Sequence, residues 1–283
     1  MIMNRGRATL LAIALGAALH GCATARQPAV AASGRLVRVM VYNIHAGKDA
    51  TGADNLARVA GLVRETNADI ALLQEVDQGT RRSGNTDQPA VLAERTGFHV
   101  AFGSALDYDG GEYGVAILSR WPIASDTLFH LPVDPPQARA GGSHEPRGAL
   151  RAELRSPYGP ITVFTTHIDA SAEDHYRRQE ARIVGALVAA ARRTSSLVLL
   201  GGDLNSTPES VVQQELRATG LRDAHAECGR GEGHTYPADS AIKRIDYLYL
   251  TGGLRCVTAE VLGTQVSDHR PVIIQVIIPI PEH

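Results

Sequence analysis

A set of acids, amides and histidines falls where the apolar runs of this sequence stop. Asn43 closes the first run. Gln74 and Glu75 interrupt the second, Ile70 to Val76. His167-Ile168-Asp169 ends the run that begins at Ile161, and Asp203-Leu204-Asn205 follows Gly201-Gly202. Asp246 sits inside Arg244-Ile245-Asp246-Tyr247, and Asp268-His269 precedes the last apolar run. Residues two apart on a strand project to the same side, so Asp203 and Asn205 can face one ligand together. Each residue alone has an ordinary structural explanation: Asn43 as a turn cap, Glu75 in a salt bridge, His167 as a hydrogen-bonded core histidine. Together they supply hard oxygen ligands of the kind Mg²⁺ takes, a general base, and a histidine able to polarise a phosphate. No Cys or His spacing suits zinc, and there is no Gly-x-Ser-x-Gly elbow or P-loop.

The elements that must position these groups follow from periodicity. Val37, Val39, Val41 and Asn43 alternate along a strand over residues 36–43, which delivers Asn43 at its end. Leu56, Val59, Ala60 and Val63 make the stripe of an amphipathic helix over 54–66. Ile70 to Val76 reads as a buried strand with a polar tip. A second helix is expected near Pro89 to Thr96. Strands are expected at Phe98–Phe102, Tyr113–Ser119, Ala149–Leu154 and Ile161–His167. The longest helix covers 172–193, with Ile183, Leu187 and Ala190 inward. Leu197–Leu200, Ile245–Leu250 and Val272–Ile278 complete the strands. No repeat and no Pro- or Gly-rich linker divides the chain. The order implies an α/β fold of two stacked sheets flanked by helices.

Composition excludes several classes. With 283 residues, 44% hydrophobic and 20% charged, the chain is neither a disordered tail, a collagen-like fibre nor a small disulfide knot. The net charge of −2 gives no basic field for non-specific nucleic-acid binding. Aromatics are 5%, with one tryptophan, Trp121, which argues against a stacking platform.

The N-terminus carries its own pattern. Arg5 and Arg7 precede an apolar run, Ala8 to Leu19. Twelve helical residues rise about 18 Å, short of the roughly 30 Å hydrocarbon core, so residues 1–21 read as a signal peptide. Leu19-His20-Gly21-Cys22 resembles a bacterial lipobox, which makes Cys22 the lipidation site. Cleavage after Ala23 or Ala25 is the plainer alternative. Residues 22–35 read as a flexible tether and 36–283 as the folded domain, expected to be a monomer. Without Arg5 and Arg7 the 28 basic residues become 26 against 30 acidic ones, a net of −4. Cys228 and Cys256 either pair, as an oxidising periplasm permits, or stay as buried thiols.

Taken in order, Tyr42-Asn43-Ile44-His45, Leu73-Gln74-Glu75-Val76, Thr166-His167-Ile168-Asp169, Gly202-Asp203-Leu204-Asn205, Arg244-Ile245-Asp246-Tyr247 and Ser267-Asp268-His269-Arg270-Pro271 resemble the endonuclease/exonuclease/phosphatase superfamily. That superfamily includes DNase I, exonuclease III-type nucleases, neutral sphingomyelinases and inositol polyphosphate 5-phosphatases. The resemblance spans roughly residues 36 to 279. It implies a four-layer α/β/β/α sandwich and a divalent-metal phosphodiesterase or phosphatase, with Mg²⁺ the expected ion and Mn²⁺ the alternative.

Phosphodiester cleavage requires charge neutralisation, an activated water and a stabilised leaving oxygen. Glu75, with Asn43 beside it and Asp268 through water, is the expected metal set. His269 is read as general base or charge stabiliser, with Asp246 as its partner. Asp203 orients water, Asn205 donates to phosphate or holds Asp203, and His167 donates to a nonbridging oxygen. Arg147 is read as a phosphate clamp or a surface arginine, Tyr113 as pocket lining or core. Glu112 or Glu145 is a candidate to orient His167, and Arg81-Arg82 lie near the expected mouth. The expected substrate is a phospholipid headgroup, an extracellular nucleic acid or a small phosphodiester. The expected location is the periplasm or outer membrane, anchored to the bilayer through Cys22.

Overall fold

The computed structural model describes residues 1–2, 34–137 and 144–279. Most of the expected signal peptide, Cys22 and most of the expected tether fall outside these. Residues 32–283 form one compact unit. Its strands are β1 (Gly34–Asn43), β2 (Ile70–Gln78), β3 (His99–Tyr108), β4 (Gly111–Ser119), β5 (Ile123–Leu131), β6 (Arg147–Ser156), β7 (Gly159–His167), β8 (Val198–Asp203), β9 (Arg222–Asp223), β10 (Asp246–Leu250), β11 (Arg255–Val261) and β12 (Val272–Pro279). Its helices are α1 (Leu56–Glu65), α2 (Gln88–Thr96), α3 (His175–Ala191), α4 (Val211–Ala218) and α5 (Ala224–Cys228). β1 starts at Gly34, two residues inside the segment read as tether.

The strands form two six-stranded mixed sheets, ordered β11-β12-β1-β2-β4-β3 and β5-β6-β7-β8-β10-β9. Central strands are apolar on both faces because each face meets another layer. Val37, Val39 and Val41 of β1 face Leu150, Val163 and Leu199 of the opposite sheet. Met40 and Tyr42, one residue out of phase, pack instead against Val59, Val63 and Leu92 of α1 and α2. On the other side Phe164 and Leu200 meet Val184 and Val188 of α3 and Val212 and Leu216 of α4. Three apolar interfaces therefore separate four layers, the α/β/β/α sandwich that the motif order implied.

Local chemistry explains where elements stop. Asp87 caps α2 by accepting from the Ala90 N–H, Pro89 occupies its first turn, and Gly97 ends it in a left-handed conformation. α3 differs from the expectation. Its buried stripe is Ala181, Val184, Val188 and Ala191, while Ile183 and Leu187 are only partly covered. The layer beneath selects the stripe. β5, β11 and α4 had no clear sequence signal. β5 is a largely exposed edge strand, so burial imposes little pattern on it.

Cys228 of α5 and Cys256 of β11 form a disulfide, with Cα atoms 5.8 Å apart. This settles the open alternative in favour of pairing.

Candidate active site

Strand register assembles the centre of the site. In β7–β8, His167 lies opposite Asp203, and in β8–β10, Asp203 lies opposite Asp246. Three titratable candidate residues thus stand in one row across three adjacent strands. In the other sheet, Asn43 ends β1 opposite Gln74. A β-bulge between Leu73 and Val76 in the β2–β4 pair holds Glu75 at φ 54°. Such a bulge re-aims a side chain, and Glu75 turns into the cleft between the sheet ends while Gln74 points inward to Thr165 Oγ1 (2.9 Å). The loop between β11 and β12 is tied to β1 by Ser267 Oγ donating to the Asn43 carbonyl (2.8 Å), which brings Asp268 and His269 to the same place.

The cleft has a volume of about 420 Å³ and is lined by Glu75, His167, Asp203, Asn205, Asp268 and His269, with Tyr236 and Lys243 on one wall. Asp246 is buried behind His269 and accepts from its Nδ1–H at 2.9 Å, while His269 Nε2 lies 3.6 Å from Asp203 Oδ2. Burial works against charge on His269, but the Asp246 and Asp203 carboxylates outweigh it and push its pKa up to about 10. Burial, reinforced by repulsion from Asp246, pushes Asp203 up to about 7, against the pull of His269 and the bonds from Asn205 and Asn43. The backbone N–H of Asn205, itself at φ 42°, donates to Asp203 Oδ1 (2.9 Å). The neighbouring carboxylates thus favour charge on the His269 ring, while burial and Asp246 favour the protonated form of Asp203.

Four residues singled out in the sequence take the following places. Asn43 is fully buried and donates through Nδ2 to Glu75 Oε1 (2.9 Å) and Asp203 Oδ2 (3.1 Å), while its Oδ1 accepts the His45 N–H (3.0 Å). It presents a donor toward the acids, so it positions two carboxylates where a ligand oxygen was expected. Arg147 is 2% exposed, paired with Glu145 at 2.5 Å and with His167 Nδ1 at 2.7 Å. The guanidinium is therefore buried rather than on the surface, and it borders the same cleft as Glu75, His167 and Asp203. Tyr113 is also buried and borders a small cavity behind the cleft with Glu145 and Arg147. Its hydroxyl pKa is raised by burial and by Glu75 and Glu145. Arg82 lies over the Tyr113 ring and is held bidentately by Asp77, both contacts 2.7 Å, which removes it from the mouth.

Sequence reasoning missed Tyr236 and Lys243. Tyr236 leans on His269, with ring centroids 4.8 Å apart. The two residues pair in a small hairpin, N to O at 3.0 and 2.9 Å. They lie in a Gly-rich stretch without periodicity, so no local pattern marks them.

Two groups of acids suit a cation. Asp203, Asp246 and His269 place candidate ligand atoms within 4.8 Å of one another. Glu75 and Asp268 line the open cleft with oxygen donors. The first group is buried, and its His269 Nδ1 is engaged by Asp246. The second keeps its carboxylates facing the cleft, which is what a hydrated hard cation needs.

Comparisons agree with this architecture. The sequence profile of the Endonuclease/Exonuclease/phosphatase family matches residues 40–269. YbhP, an uncharacterized protein of Escherichia coli K12, is 26% identical over 250 residues, covering 83% of this chain and 93% of its own length. The structure of an endonuclease/exonuclease/phosphatase from Beutenbergia cavernae superposes with a TM-score of 0.74 at 23% identity, covering 87% of this chain and 72% of that one. The Bacteroides thetaiotaomicron mannosyl-6-phosphatase Bt3783 gives a TM-score of 0.71 at 18% identity, covering 86% and 100%. On the profile match and the sandwich that carries these residues, the chain belongs to the endonuclease/exonuclease/phosphatase family of metal-dependent hydrolases acting on phosphoester bonds.

Proposed function

We propose that this chain is an exported, Mg²⁺-dependent phosphodiesterase that cleaves its substrate by in-line attack of water. The observation that carries the reading is the row His167–Asp203–Asp246, completed by His269 and facing Glu75 and Asp268 across one cleft. Glu75 and Asp268 would hold the cation, Mg²⁺ or Mn²⁺, and Asn43 steadies Glu75. When bound, such an ion neutralises phosphate charge and polarises a phosphoryl oxygen. The protein does the rest. Asp203, aligned by the Asn205 N–H, takes a proton from water as its oxygen bonds to phosphorus. His269, kept cationic by Asp246, gives a proton to the leaving oxygen as the old P–O bond breaks. His167 donates to a nonbridging oxygen.

The leader pattern and the Cys228–Cys256 disulfide support export to an oxidising compartment. A lipid anchor at Cys22 would hold the cleft near a bilayer, which favours a phospholipid headgroup or another small phosphodiester. The net charge of the mature chain, −4, disfavours long polyanions.

The test is hydrolysis of bis(p-nitrophenyl) phosphate and of a panel covering DNA, RNA, sphingomyelin, glycerophospholipids and inositol phosphates, each with Mg²⁺, Mn²⁺ or EDTA. Turnover that EDTA abolishes is expected. Glu75→Ala or His269→Ala variants as active as the parent would overturn the site assignment.

A further inference from the structure

The environment of His167 poses a question of proton placement that the residues around it answer. The ring is buried, 5% exposed, at the end of β7. Arg147 NH1 lies 2.7 Å from Nδ1 and Asn205 Nδ2 lies 3.0 Å from Nε2. Both neighbours are nitrogen donors. A guanidinium has no acceptor, and a neutral imidazole has one N–H and one lone pair. The ring can therefore accept from only one of them. A cationic ring could accept from neither, and burial, Arg147 and His269 all hold the His167 pKa well below the usual value.

The competition has a clear winner. The Arg147 bond is shorter and charge-assisted, which makes it roughly twice as strong as a neutral amide bond. Arg147 is itself held by buried Glu145 at 2.5 Å, and it begins β6, where Gly148 pairs with His167 in the antiparallel ladder. Asn205 Nδ2 has another acceptor, the Ile168 carbonyl at 3.0 Å. From this geometry we infer that Arg147 is a positioning residue that locks His167 into the tautomer protonated on Nε2, turning that ring edge into a hydrogen-bond donor on the cleft wall.

The consequence is chemical. With Nδ1 accepting from Arg147, Nε2–H points toward Asp203 Oδ2, 3.5 Å away, and toward the cleft. A phosphate oxygen placed there meets a donor. In the other tautomer the same edge would be a lone pair, accepting from Asn205 and repelling a phosphate oxygen. Arg147 thus serves anion recognition through the ring of His167. This role rests on the phosphodiesterase reading above only for its effect on rate; the tautomer itself does not depend on that reading.

The experiment uses the full-length chain in detergent, with ¹⁵N-labelled histidine, and reads the His167 ring by long-range ¹H–¹⁵N correlation, assigned with His167→Gln. The parent is expected to show a neutral ring protonated on Nε2 from pH 6 to 9. Glu145→Leu/Arg147→Met replaces the buried ion pair by apolar groups, an exchange that stability often tolerates. In it the proton is expected to move to Nδ1 as Asn205 takes over as donor. On a diester substrate kcat should fall about 10²–10³-fold, the usual loss for one donor to a developing anion, with KM within about threefold. Arg147→Lys, which keeps a cationic donor, should retain the Nε2–H tautomer and recover at least tenfold of the lost kcat. An Nδ1-protonated parent, or a double variant that keeps both tautomer and kcat, overturns the lock. A parent with the Nε2–H signature but no turnover on any phosphoester overturns the function and leaves the lock standing.

Discussion

Glu180 offers a quantitative check on how this fold buries charge. It lies on α3, is fully buried, and accepts the Asp169 N–H through Oε2 at 2.7 Å, while Oε1 has no hydrogen-bond partner among the described residues. Asp169 in turn receives the Ser171 N–H at 2.9 Å, so Glu180 underpins the loop that forms one cleft wall. Burial raises its pKa from 4.5 to about 8, against the Asp169 N–H bond and the attraction of Arg147. The folded state therefore holds a proton that the unfolded state has released over this window. Stability from this group is complete below pH 4.5 and is lost as pH rises to about 8. At 1.36 kcal/mol per pK unit the whole shift is about 5 kcal/mol, or roughly 1.4 kcal/mol per pH unit. Glu180→Gln keeps an oxygen for the Asp169 N–H and cannot ionise. Urea denaturation of parent and variant at pH 5, 6, 7, 8 and 9 isolates the effect, because every other titration cancels in the difference. The two should be near equal at pH 5, and the variant should be the more stable by several kcal/mol at pH 9. A difference that stays flat with pH, or grows toward acid, refutes the burial argument.

Other perturbations address separate parts of the molecule. Asp246→Asn keeps an acceptor for His269 Nδ1 but removes the charge that holds the imidazolium, so kcat should fall about 10²–10⁴-fold with little change in KM, read by steady-state kinetics. Gly202→Ala would place a Cβ 1.9 Å from the Thr166 carbonyl oxygen across the β7–β8 pair; a loss of more than about 3 kcal/mol is expected by urea denaturation. Reduction of Cys228–Cys256, or the double serine variant, reopens a loop of 28 residues and should cost about 3.6 kcal/mol on the chain-entropy relation, seen as a lower denaturation midpoint.

Much of the site was legible because its residues sit at the tips of strongly apolar strands, and apolar strands announce themselves. Asn43, Glu75, His167, Asp203 and Asp246 each end, begin or interrupt such a run, and it is their recurrence at strand ends, rather than any one of them, that marks a site. The helix at Gln88–Thr96 was equally legible, since its cap and its Gly stop are local. The stripe of α3 was not, because the helix offers two overlapping apolar faces and only the sheet beneath selects Val184 and Val188 over Ile183 and Leu187.

By itself the sequence marked which residues are candidates for chemistry and the strands they terminate, because periodicity and side-chain type act within a few residues, and the family resemblance of its motifs implied the four layers. Tertiary structure decided how those groups meet. Asn43 reaches Asp203 across 160 residues, and His167, Asp203 and Asp246 share a row only because three strands pair in one register. The same packing enclosed Arg147 with Glu145 and His167. An arginine at a strand start reads alike whether it faces solvent or a buried carboxylate, since burial is set by what the rest of the chain lays over it.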